Sequence, residues 1–153
     1  MRTVLIAVDD SKGALAAADT FLRLYAGCQP ETVVLLYTEK IEGRSLMDEM
    51  LGKAELSTLK EALQGTEHQE ALDRRARTIL DFFRTKLEAQ GIKGVKTVVR
   101  EGHPAEEILG AAKELGAEMI IIGSRGKRVH TLLMGSVSRE IANRSEVPVL
   151  IAR

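Results

Sequence analysis

The chain has 153 residues, 44% hydrophobic and only 3% aromatic, and its 22 acidic and 22 basic residues cancel. That length fits one domain, residues 1–153, burying roughly two-thirds of its unfolded surface. Zero net charge excludes a global field that recruits nucleic acid or an anionic membrane, and the scarcity of rings excludes stacking platforms for single strands.

The start, "MRTVLIAVDD", carries a six-residue apolar run that leads straight into acidic residues. It is too short for a secretory signal core, and no run elsewhere approaches the ~18 residues of a membrane span. The expected location is the cytoplasm. The run itself, Thr3–Val8, is the first expected strand. A helix follows over 11–27, with Ala14, Ala17, Ala18, Phe21 and Leu22 on one side, and Asp10 or Ser11 as its cap. The single cysteine, Cys28, sits among helix-end signals and reads as filler, since one cysteine builds neither a disulfide framework nor a zinc finger.

Thr32–Thr38 is the second expected strand. Residues 39–66 then form a stretch too long for an ordinary loop. Leu46, Met47, Met50 and Leu51, and later Leu56, Leu59 and Leu63, suit short amphipathic turns. An excursion packed on the domain is the expectation, with a flap or a dimer contact as alternatives. A helix over 67–90 places Leu72, Ala76, Ile79, Leu80, Phe83 and Leu87 on one face. A weaker strand, Val95–Arg100, precedes a helix over 104–115 that Pro104 opens and Gly116 closes, with Ile108, Leu109, Ala112 and Leu115 inward. Glu118–Gly123 is the next strand, residues 135–143 the last helix and Val147–Ala152 the last strand.

Continuous apolar strands without polar alternation are those covered on both faces, as in a parallel sheet. Strands alternating with helices predict an α/β fold: an open, doubly wound parallel sheet joined by right-handed crossovers. In such a sheet, ligands bind beyond the carboxyl ends of the strands. "VDDS" ends the first strand, Thr38 the second, and "GSRG" follows the fourth. If the first and fourth strands are neighbours, Asp9 and Gly123 share one crevice. Asp9 is then placed to accept hydrogen bonds from a nucleoside.

The glycines of "GSRGKRVHTLLMGSVS" have two explanations. They supply backbone angles that other residues avoid, or they bare N–H groups around an anion at the start of the last helix. Gly126, Gly135, Ser136 and Val137 suit the second, with Arg125, Lys127, Arg128 and His130 adding positive potential. The alternative is helix-start serines beside a solvated basic loop. The chain lacks the nucleoside-triphosphatase P-loop, the dinucleotide G-x-G-x-x-G and the G-x-S-x-G elbow. His68, His103 and His130 have no partner at metal-ligand spacing and read as surface or loop histidines.

With those residues in hand, the chain resembles the universal stress protein family. The likeness runs through "VLIAVDDS", "VVLLYT", "EGHPAEEIL" and "IIIGSRG…GSVSREIANRSEVPVLIAR". The family's nucleotide-binding branch carries G-x-x-G, nine residues, then G-[ST]. Gly123, Gly126, Gly135 and Ser136 match, but only residues 127–134, eight in number, separate Gly126 from Gly135. The resemblance implies a five-stranded, Rossmann-like parallel sheet in the order 3-2-1-4-5 and a homodimer paired through the last strand. It implies that Val8, Asp9 and Thr38 contact adenine and ribose. Gly123, Gly126, Gly135, Ser136 and Val137 would hold ribose and phosphates. The ligand so implied is ATP or AMP, with Mg2+ reached through the phosphates, and the role is a dimeric regulatory module in stress response. A nucleotide-free scaffold and a slow ATP hydrolase are the alternatives.

Overall fold

The structure, a computed structural model, describes residues 1–39, 67–125 and 134–153. Among them the order is β1 (Thr3–Val8), α1 (Lys12–Leu24), β2 (Thr32–Glu39), α2 (Glu67–Ala89), β3 (Val95–Glu101), α3 (Pro104–Glu114), β4 (Met119–Gly123), α4 (Ser136–Arg144) and β5 (Val149–Ala152). The strands form one five-stranded sheet in the order β3-β2-β1-β4-β5, and every pairing is parallel. This is the expected doubly wound α/β fold.

The continuous apolar runs are explained by two cores. Val4, Ile6, Val8, Val33, Leu35 and Tyr37 face one way and pack on Ala14, Ala17, Ala18 and Phe21 of α1 and on Ala76, Ile79, Leu80, Phe83 and Leu87 of α2. Leu5, Ala7, Val34, Leu36, Ile120 and Ile122 face the other way, onto Ala105, Ile108, Ala111 and Ala112 of α3 and Ile141 of α4. Successive strand side chains point to opposite faces, so a strand covered twice must be apolar at every position. Full burial of each large side chain contributes about 1.5–3 kcal/mol.

Glycine closes two helices in the left-handed conformation that it adopts without a steric penalty. Gly116 has φ 63° after α3, where the Gly116 and Ala117 N–H groups donate to the Lys113 and Ala112 carbonyls. Gly91, at φ 80°, ends α2 in the same way, with Gly91 and Ile92 donating to Glu88 and Leu87. Both are Schellman caps, which satisfy carbonyls that a helix end leaves open.

Several expectations are narrowed or corrected. Ser11, not Asp10, caps α1, its Oγ accepting from the Ala14 N–H at 3.2 Å. Asp10 instead pairs with Arg75 of α2 at 2.7 Å. α1 ends at Leu24, and Cys28 beyond it is exposed, so it fills no interior space. Leu115 is 40% exposed because it is the C-cap of α3, already turned off the inward stripe. Glu39 belongs to β2, whose pairing with β3 runs to Glu39↔Glu101. Val147 and Pro148 precede β5: proline has no N–H for a ladder, although the Pro148 carbonyl accepts from Ile120 N–H at 3.0 Å. The remainder of the 39–66 stretch, 40–66, lies outside the described residues.

Candidate functional site

The strand order reverses between β1 and β4, since β2 and β3 lie on one side of β1 and β4 and β5 on the other. The crossover connections of a doubly wound sheet leave a crevice at that point, at the carboxyl ends of the strands. Val8 ends β1 and is 5% exposed. Its register partner on β2 is Tyr37, which sets Asp9 and Thr38 side by side one residue further on. Asp9 Oδ1 accepts the Ser11 N–H at 2.9 Å, an Asx turn that holds the carboxylate at the strand exit. The Thr38 hydroxyl is buried and has no hydrogen-bond partner among the described residues. Buried polar atoms are almost always paired, so this oxygen is suited to a polar group entering the crevice.

Tyr37 adds a neutral hydroxyl below. Burial pushes it above the usual tyrosine range; Arg75 opposes the shift, while Glu39 and Asp9 reinforce it.

The other half of the crevice is the exit of β4. Gly123 was expected to serve either a special backbone angle or an anion, and its geometry gives a further reason. Its φ is not in the left-handed region, nor is that of Gly135, at −62°. A Cβ on Gly123 would lie 2.4 Å from the Gly13 carbonyl carbon and oxygen, and one on Gly13 would lie 2.0 Å from the Arg125 carbonyl oxygen. The first turn of α1 and the exit of β4 therefore touch backbone to backbone.

Gly135 is the N-cap of α4, and it has no side chain with which to cap. The contrast with the other helix starts is informative. α1 is capped by Ser11, and α3 has Pro104 in place of one donor and Glu106 and Glu107 in its first turn. α4 has neither a side-chain cap nor an acidic residue in its first turn. Its bared N–H groups and the positive end of its dipole favour an anion by up to ~1 kcal/mol in exposed settings, before any specific contact. Ser136, exposed in the first turn, offers a hydroxyl at the same end.

The structure thus brings Val8, Asp9 and Thr38 to one end of adjacent strands, and Gly123 and Gly135 to another, joined by the Gly135 N–H···O=C Ser124 bond at 2.7 Å. Gly126, with Lys127, Arg128 and His130, lies outside the described residues. His103 is half-buried at the start of α3, with Nε2 3.9 Å from Glu140 Oε2. Gly13, Ser124, Arg75 and Ser138 were missed in the sequence. Only Gly13 left a signal there, as a glycine in a helix's first turn, which costs stability unless close approach requires it. Among the described residues, no three His, Cys, Asp or Glu side chains gather as metal ligands.

A parallel five-stranded sheet with this order, opened at its switch point beside an uncapped helix, defines a doubly wound α/β domain of the Rossmann-like kind. The model of the universal stress protein family matches residues 1–153, and the chain belongs to that family. Universal stress protein MJ0577 of Methanocaldococcus jannaschii is 30% identical over 136 residues, covering 86% of this chain and 83% of that one. The solved MJ0577 structure superposes with a TM-score of 0.76 at 27% identity, over 99% of this chain and 94% of the other. A universal stress protein solved in complex with cAMP has a TM-score of 0.68 at 21% identity, over 99% and 97% of the two chains. A family member from Arabidopsis thaliana solved with AMP bound gives 0.65 at 18%, over 99% and 91%. At those two identities the likeness is one of fold.

Proposed function

We propose that the protein binds an adenine nucleotide, ATP or AMP, in the β1/β4 crevice and acts as a homodimeric regulatory module of the cytoplasmic stress response. The observation that carries this reading is the start of α4: an uncapped helix end, free of acidic residues, at the switch point of the sheet. Family members with the same fold that bind cAMP and AMP support the choice of ligand. Val8, Asp9 and Thr38 form the adenosine end. There Val8 supplies an apolar wall, Asp9 accepts from ribose hydroxyls, and the Thr38 hydroxyl gains a partner it lacks among the described residues. Gly123, Gly126, Gly135, Ser136 and Val137 form the phosphate end, and a magnesium ion would sit on the phosphates. Such an ion would neutralise phosphate charge; the chain's own residues orient the nucleotide.

Dimerisation through β5 belongs to the same proposal; β5 is an edge strand whose residues are all apolar, which suits a strand-pairing contact. Among the described residues no helix is long and apolar enough to cross a membrane, which suits the cytoplasmic assignment.

Mass spectrometry of small molecules released by denaturing freshly purified protein tests the reading. An adenine nucleotide near one equivalent per chain is expected. An empty protein that also fails to bind added ATP or AMP would leave the nucleotide-free scaffold in its place.

A further inference from the structure

Ser138 is 2% exposed, in the first turn of α4, and its Oγ lies 3.1 Å from the Ser124 carbonyl oxygen and 3.0 Å from that of Gly135. The Gly135 contact alone is ordinary, since a helical serine often bonds back three residues. The Ser124 contact is not local: it crosses from α4 to the exit of β4. One hydroxyl has one proton, so it forks between the two carbonyls or alternates. In either case its oxygen stays between them. Ser124 is held elsewhere too. Its carbonyl accepts the Gly135 N–H at 2.7 Å, and its own N–H donates to the Ala152 carbonyl at 2.7 Å. On the far side Gly123 and Arg125 rest on Gly13.

We propose that Ser138 is a positioning residue for phosphate binding, fastening the start of α4 to the exit of β4 so that the Ser136 and Val137 N–H groups converge on one anion while the Gly135 N–H stays on the Ser124 carbonyl. This rests on the nucleotide reading above. Joining chain ends across ten residues, 125–134, has an entropic cost that the bonds at the base must offset. Because Ser124, Gly135 and Ser138 close that base, the number of residues between them does not by itself set the spacing of the cradle. A connection one residue short is therefore compatible with a cradle of full strength. Ser138 needs no contact with the ligand to act in this way.

Ser138→Ala and Ser138→Thr test the proposal. Two readouts are needed: ATP affinity by calorimetry, and amide hydrogen exchange in the ligand-free protein. Removing one neutral hydroxyl should weaken ATP binding roughly three- to tenfold. Exchange should accelerate at Gly135 and Arg139, whose N–H groups donate to the Ser124 and Gly135 carbonyls, while the β1 and β2 amides keep their protection. Ser138→Thr, which retains the hydroxyl, should restore both. A parent that binds ATP with an alanine variant of equal affinity, or an acceleration spread evenly over the core, would overturn the proposal alone. A parent that binds no adenine nucleotide would overturn the nucleotide reading and this one with it.

Discussion

Gly13 and Gly110 both stand inside helices, yet the structure asks opposite things of them. Glycine in a helix is worse than alanine by roughly 0.5–1 kcal/mol, so each is a local defect unless its missing Cβ is needed. A Cβ at Gly110, on the exposed side of α3, meets nothing within 4 Å. At Gly13 it would drive into the Arg125 carbonyl oxygen at 2.0 Å, a backbone atom that a rotamer change cannot move. Gly110→Ala should therefore stabilise the protein by about 0.5–1 kcal/mol. Gly13→Ala should destabilise it by roughly 1–3 kcal/mol, the usual range for forced overpacking. Urea unfolding of the two variants checks this, and a gain in both would mean that the α1–β4 contact is loose.

At the scale of elements, β5 is one of the two edge strands of the sheet, β3 being the other. It is four residues long and pairs only with β4, and Val149, Leu150 and Ile151 remain half-buried. An apolar strand with one unpaired edge invites a second strand. A dimer at micromolar concentration is expected by light scattering, and a protein that stays monomeric there would remove β5 as an interface. Val149 and Ile151 also pack on the α3/α4 core, so charged substitutions at them confound folding with assembly. The helices show what local sequence does specify. Gly91 and Gly116 stop α2 and α3 because the left-handed turn suits glycine, and Pro104 opens α3 because its missing N–H is not needed there. Choosing between Asp10 and Ser11 at α1 was not legible from residue type, since both are good caps. Arg75, far along the chain, engages Asp10 and leaves Ser11 to the helix.

Over the whole molecule, the five strands were legible because both faces of the sheet are covered, which writes hydrophobicity at every strand position. Their order was not written in any run; it came with the family likeness, and the pairings agree with it. The crevice was half legible. Asp9, Thr38 and Gly123 could be found because strand ends mark it. The roles of Ser124 and Ser138 could not, since they arise from a contact 14 positions apart that no local pattern encodes; Gly13 showed only as an unexplained helix glycine, its contact with Gly123 lying more than a hundred positions away. The angle explanation for the glycines failed at Gly123 and Gly135 for the same reason, because close approach is a tertiary property. The central claim is that this crevice is where an adenine nucleotide binds. Amide chemical-shift mapping of isotopically labelled protein on addition of ATP tests it most directly. Shifts should concentrate at Val8, Asp9, Thr38, Gly123, Ser124, Gly135, Ser136 and Val137, with α2 and β3 little changed. Saturating ATP that leaves these amides unmoved, or that perturbs instead the exposed α2 face around Phe82, would contradict it.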